Sequence, residues 1–146
     1  MTDFTTDLLA IFRKFGLFER DQICCGTVTV PQCIVLQTLL EGANDINGLA
    51  ESSGVTASAM TRLVDGLERN DWVTRQRGAD DRRRIVVELT PGGEQEARRL
   101  RALTEASVNA VLQAIPTDKH AQVTESVRLI REALDRAGRA ATKCCG

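Results

Sequence analysis

The amino-acid sequence predicts a mainly α chain with a small two- to three-stranded β element. Three observations carry this. Apolar residues recur at steps of three and four over much of the 146 residues, which is the period of one face of a helix. Hydroxyl or carboxylate side chains stand just ahead of several of those stretches, where a helix start leaves amides unpaired. Only 72–89 departs from the helical period, with two β-branched runs around a charged, turn-forming tip. A content of 42% hydrophobic and 27% charged residues suits one globular domain, or a helical module that completes its core against a copy of itself. Apolar runs such as 34–36 fall far short of the ~20 residues a membrane span needs, so no membrane partner is expected. The start carries Asp3 and no basic residue before Arg13, unlike a secretory leader, so a cytoplasmic, reducing setting is expected.

Taken in order, Phe4, Leu8, Ile11, Phe15 and Phe18 form one stripe of an N-terminal helix. Thr29-Val30-Pro31-Gln32 has the form of a capping box with proline in the first turn, predicting a second helix over 30–40. Gly42-Ala43-Asn44 reads as a loop, Asp45 as the cap of a short third helix carrying Leu49 and Ala50, and Gly54 as its end. Thr56 caps a fourth helix with Met60, Leu63, Val64 and Leu67 inward, stopping near Asn70. Trp72-Val73-Thr74-Arg75 and the run 85–89 are strand-like and are joined by 78–84 as a hairpin. Trp72 is expected to anchor that hairpin to the core. A helix over 91–115 breaks at Pro116. A last helix begins near Thr117, with His120 expected as a solvated surface residue and Val123, Val127, Ile130, Leu134, Ala137 and Ala141 in its stripe. Two short helices about a tight turn, followed by a hairpin with a basic tip, describe a winged helix-turn-helix. The expected organisation is a single domain over 1–146. Within it 1–28 and 95–141 are dimerisation helices, 30–90 is the winged lobe and 142–146 is a flexible tail.

The net charge is −1, yet six arginines (69, 75, 77, 82, 83 and 84) lie between 69 and 84 against Asp71, Asp80 and Asp81. A local basic segment therefore sits inside a mildly acidic chain, which is the footprint of a DNA-binding wing. A reading helix needs small polar groups at its exposed start and no acid facing phosphate. Thr56, Ser58, Thr61 and Arg62 meet that need, since the first acid after them is Asp65. No serine, histidine and acid grouping, no histidine pair and no glycine-rich phosphate loop is visible, so no enzyme is expected.

At this point the sequence resembles the MarR family of bacterial transcriptional regulators. The residues that carry the resemblance are 49–56, 61–68, Trp72 to Arg75, and Asp81-Arg82-Arg83 leading to Leu89-Thr90-Pro91-Gly92-Gly93. At Asn70-Asp71-Trp72 the chain departs from the family, which more often has a glycine and an aliphatic residue there. The resemblance implies a homodimer with two winged helices on one palindromic double-stranded operator, usually a repressor released by a small effector. It implies too that Arg83 reaches a minor groove, that Asp81 steadies the wing, and that the helix after Thr56 reads the adjacent major groove. A narrow minor groove concentrates negative potential and so suits an arginine. Arg82 and Arg84 are expected as phosphate contacts or solvated charge, and Arg75 and Arg77 have weaker claims.

Five cysteines, Cys24, Cys25, Cys33, Cys144 and Cys145, are an odd set with two adjacent pairs, which argues for metal or redox chemistry rather than a disulfide framework. Cys24 and Cys25 are expected to close the first helix or its loop. Cys33 is expected on the first turn of the next helix, where amides favour a thiolate. Two vicinal thiols and a third a loop away make a trigonal sulfur set, which soft, thiophilic ions prefer. The expected effector is arsenite, antimonite or mercuric ion, with no required cofactor. The set is similar, by analogy, to that of arsenic-responsive repressors of the separate ArsR/SmtB family. Zinc would want a fourth ligand, for which Cys144 and Cys145 are the candidates. A thiol-oxidation sensor and a MarR-type repressor with a small organic effector are the alternatives.

Overall fold

The computed structural model describes residues 2–14, 23–25 and 28–137, and it divides into two units, 1–101 and 102–146. In the first unit a helix α1 spans Thr2–Lys14. A short antiparallel pair follows, β1 (Ile23–Cys25) with β2 (Val28–Thr29). The predicted N-terminal stripe thus holds to Ile11, while Phe15 and Phe18 lie outside the described residues. Of the two places expected for Cys24 and Cys25, the close of the first helix is not the one observed: they lie on β1, after the helix, and their side chains lie outside the described residues.

Helix α2 (Val30–Leu39) starts where local chemistry demands it. Gln32 N–H donates to Thr29 Oγ1 at 3.4 Å, Thr29 N–H donates to Gln32 Oε1 at 3.2 Å, and Pro31 occupies a first-turn site that needs no N–H. Helix α3 (Ile46–Ser53) is capped by Asp45, whose Oδ1 accepts Gly48 N–H at 2.7 Å. It ends at Gly54, left-handed at φ 67°. Helix α4 (Ala57–Arg69) is capped by Thr56 and ends at Asn70. Asp71 then turns the chain with φ 57°, a conformation that aspartate tolerates better than most side chains and that glycine adopts freely. Asp71 lies within Asn70-Asp71-Trp72, where the sequence departs from the family that it resembles.

The wing is a three-stranded antiparallel sheet in the order β3-β5-β4, with β3 at Asn44–Asp45, β4 at Val73–Arg77 and β5 at Ile85–Leu89. Two expectations change here. Asn44 belongs to a strand rather than a loop, pairing with Val87 while Asp45 pairs with Val86. Trp72 precedes β4 instead of opening it, and it packs, half-buried, on the core. All buried apolar side chains among the described residues lie between Val28 and Leu100, with Leu36, Leu49, Met60, Leu67 and Leu100 fully enclosed. Burial of each such side chain contributes about 1.5–3 kcal/mol, so the helix-turn-helix and the wing share one core.

Helix α5 (Pro91–Gln113) begins at the foot of the wing. Thr90 accepts Gly93 N–H through Oγ1 at 3.0 Å, donates that hydroxyl to Asp71 O at 2.5 Å, and gives its own N–H to Trp72 O at 3.0 Å. In the second unit a 3-10 turn, Thr117–Lys119, leads into α6 (His120–Ala137). His120 is half-buried, with Nε2 2.9 Å from Ile115 O, so it closes the turn after Pro116 and is not simply solvated. The predicted last stripe runs in α6 from Val123 to Ala137, and Ala141 lies outside the described residues. No described helix is long and apolar enough to cross a membrane.

Candidate nucleic-acid interface

At the start of α4, Thr56, Ser58, Thr61 and Arg62 are all exposed, and Met60 and Val64 are buried on the opposite face. The amphipathic period of the helix makes this separation. Each polar group presents different chemistry. Thr56 Oγ1 accepts Ala59 N–H at 3.2 Å, which leaves its own hydrogen available to donate. Thr61 spends its hydrogen on Ala57 O at 2.9 Å, so outward it offers a lone pair and a methyl group. Ser58 and Arg62, four residues apart, share one face. The N-terminal amides of the helix add partial positive charge toward an approaching phosphate.

The first acid of α4 does not work against this face. Asp65 Oδ1 accepts from Arg75 Nη2 at 2.6 Å, and the same guanidinium reaches Glu68. Arg75, on β4, is therefore paired with two carboxylates of α4.

The wing tip, residues 78–84, is a tight turn fixed by backbone. Gly78 N–H donates to Arg84 O at 2.7 Å and Arg84 N–H to Asp81 O at 3.0 Å. Asp81 Oδ1 accepts Arg83 N–H at 2.9 Å, so the carboxylate orders the backbone from which the Arg83 side chain projects. A side chain at Gly78 would place Cβ 2.8 Å from Asp81 O, which is why the turn needs glycine. Arg77, Arg82 and Arg83 are exposed and form no ion pair among the described residues. Arg84 differs, since its Nε lies 2.5 Å from Asp45 Oδ2. The Gly48 amide, and after it Arg84, hold the Asp45 carboxyl below the usual carboxylate range. Sequence reasoning missed Asp45 as part of this surface because its partner is 39 residues away.

An open groove of about 590 Å³ runs beside the start of α4, lined by Pro31, Val55, Ala59, Leu63 and the guanidinium-bearing Arg62 among others. Of the cysteines, Cys33 is buried in the lobe core on α2, and Gln37 Nε2 donates to its sulfur at 3.1 Å. Among the described side chains no group of three Cys, His, Asp or Glu converges on a metal position. Cys144 and Cys145 lie outside the described residues.

Comparison with known proteins places this geometry in company. The profile of the MarR family matches residues 28–85. The chain is 29% identical over 130 residues to the uncharacterized HTH-type transcriptional regulator YfiV of Bacillus subtilis (strain 168), covering 88% of this chain and 81% of YfiV. To YpoP, another uncharacterized HTH-type transcriptional regulator of the same organism, it is 30% identical over 96 residues, or 65% of this chain and 67% of YpoP. Streptococcus pneumoniae FabT, solved in complex with DNA, has the same fold at a TM-score of 0.78 and 17% identity, covering 92% of this chain and 96% of FabT.

Proposed function

The chain belongs to the MarR family of DNA-binding transcriptional regulators, and from that premise we propose that it is a homodimeric repressor of a palindromic operator, released when a soft metalloid binds its N-terminal thiols. The observation that carries the DNA-reading part is the pairing of an acid-free α4 start with three arginines, on a backbone-fixed wing, that form no ion pair among the described residues. The α4 start suits a major groove, and Arg83 suits the minor groove beside it. FabT, which shares the fold, is solved with DNA, and this supports the same use of the lobe. Dimerisation is supported by apolar residues left in water on a single chain, among them Phe4 and Ile11 in α1 and Val127 and Leu134 in α6, each close to half exposed or more. Leaving such side chains unburied forfeits about 1.5–3 kcal/mol apiece. A two-fold dimer presents two wings to two half-sites one helical turn apart, and occupation of such a site blocks transcription.

The effector reading rests on topology. Cys24 and Cys25 end β1, Val28 pairs with Cys25, Thr29 caps α2, and Cys33 follows on the first turn of that helix. Cys25 and Cys33 are thus eight residues apart, on a strand and a helix that follow one another in the chain, and the resemblance to the family implies a repressor usually released by a small effector. Arsenite, antimonite or mercuric ion on these sulfurs would pull β1 toward α2, the helix packed behind the reading unit. A small organic effector is the second reading, favoured by the groove beside Arg62. The test is release of DNA from reduced protein titrated with arsenite, antimonite, mercuric ion, zinc, peroxide or a phenolic acid. Cys24→Ser, Cys25→Ser and Cys33→Ser should each bind DNA yet ignore arsenite, while the Cys144→Ser, Cys145→Ser double variant still responds. If all three single variants released DNA at the wild-type arsenite concentration, the metalloid reading would be wrong.

A further inference from the structure

The wing is fastened to the helix-turn-helix at two strands, by arginines that sequence alone offers as candidates for DNA. On β4 the fastening is Arg75 with Asp65 and Glu68 of α4. At the other strand Arg84, one residue before β5, donates its Nε to Asp45 Oδ2. The second fastening has a particular construction. One carboxylate serves two donors, with Oδ1 closing the first turn of α3 through Gly48 N–H and Oδ2 holding the guanidinium. Asp45 is also a rung of the sheet, opposite Val86. The backbone of Arg84 is bonded into the tip turn at both ends, to Gly78 and to Asp81, and the Asp81 carboxylate holds Arg83 N–H. A pull on the Arg84 side chain is thus transmitted to the turn that carries Arg83.

We propose that Asp45 and Arg84 are a positioning pair, through which the start of α3 sets the wing turn, and with it Arg83, against the reading face of α4. The proposal rests on the DNA-binding reading above. Arg84 acts here without touching DNA. Substitution can separate the two duties of Asp45. Asparagine caps a helix about as well as aspartate through its one oxygen, but it offers an amide, or an uncharged oxygen, where Arg84 needs a carboxylate. Asp45→Asn therefore releases the wing while keeping α3.

The experiment uses the full chain and a duplex that the wild type selects from a random pool, with affinity measured between 50 and 200 mM salt. Asp45→Asn and Arg84→Met should each lower affinity about 3- to 30-fold, and the double substitution should be no weaker than the worse single one. The salt dependence should stay at the wild-type slope. Arg83→Ala should cost less in the Asp45→Asn background than in the wild type, because a wing no longer aimed has less to lose. Circular dichroism at 222 nm checks that α3 persists. A flattening of the salt slope by about one phosphate contact in Arg84→Met, with Asp45→Asn binding as wild type, would make Arg84 a DNA contact and overturn the proposal. An equal cost of Arg83→Ala in both backgrounds would overturn it too. A wild type that selects no duplex overturns both this and the DNA-binding reading, whereas a binding wild type with unlinked variants overturns this one alone.

Discussion

Replacing Gly93 with alanine should destabilise the protein by about 3–5 kcal/mol, while the same change at Gly92, one residue away, should be neutral or stabilising by up to about 1 kcal/mol. At residue 93 a methyl group would sit 2.6 Å from the Trp72 carbonyl carbon and 3.0 Å from its Cα, and closer still to the carbonyl oxygen. Trp72 has no room to retreat, because its N–H is bonded to Leu67 O and its carbonyl receives Thr90 N–H. The start of α5 must therefore move away. Overpacking of this kind costs about 1–3 kcal/mol. The movement also stretches the Thr90 bonds to Trp72 O and Asp71 O, each worth about 1 kcal/mol. At residue 92 the nearest atom to an added methyl is Thr90 Oγ1 at 3.9 Å, so alanine fits and stiffens the unfolded chain. Urea unfolding followed by circular dichroism, at one fixed protein concentration because a dimer's stability depends on it, measures both. A loss below about 1 kcal/mol for Gly93→Ala, or equal effects at the two glycines, would refute the argument.

Arg83→Ala should weaken binding to the selected duplex by about 1–3 kcal/mol with an unchanged melting curve, and full affinity at physiological salt would remove Arg83 from the interface. Val127→Asp should shift the protein from dimer to monomer in light scattering, whereas a wild type that already scatters as a folded monomer at mid-micromolar concentration would defeat the dimer. The depressed pKa of Asp45 means that its bonds to Gly48 and Arg84 stabilise the fold above the ordinary aspartate range, and that this contribution is lost as pH falls through the folded-state value. Acidification below about pH 4 should therefore narrow the difference in unfolding free energy between wild type and Asp45→Asn, and a difference independent of pH would count against the pairing.

Local chemistry was legible in the sequence and distant pairing was not. Thr29 with Gln32, Asp45, Gly54 and Thr56 announce helix boundaries because a cap is made within four residues of its helix end. Strand β3 has two residues and a partner some forty positions on, so no run of side chains announces it. The arginine cluster was visible as charge, but charge alone could not tell Arg83, free at the tip, from Arg75 and Arg84, which are tied inward. His120 looked solvated because its acceptor, Ile115 O, is a backbone atom that no residue type reveals. Cys33 is a local exception, since its place on α2 was readable but its contact with Gln37, one turn further along the same helix, was not.

Two of the attachments of α5 to the lobe, on either side of the buried Ala97 and Leu100, bear on how motion can pass through it. The helix is pinned at Gly93, beside Trp72, and again at Arg101, whose guanidinium reaches Gln37 O at 3.1 Å and Glu41 Oε1 at 2.9 Å at the end of α2. These points are eight residues apart, about 12 Å along a helix. A rod held at one point can swivel, but one held at two points this far apart keeps its direction. The first turns of α5 therefore move with the lobe as a single rigid lever, and a tilt imposed on them is delivered to the foot of the wing without slack. The amides of Trp72, Thr90 and Gly93 should accordingly exchange with solvent only when the whole lobe unfolds.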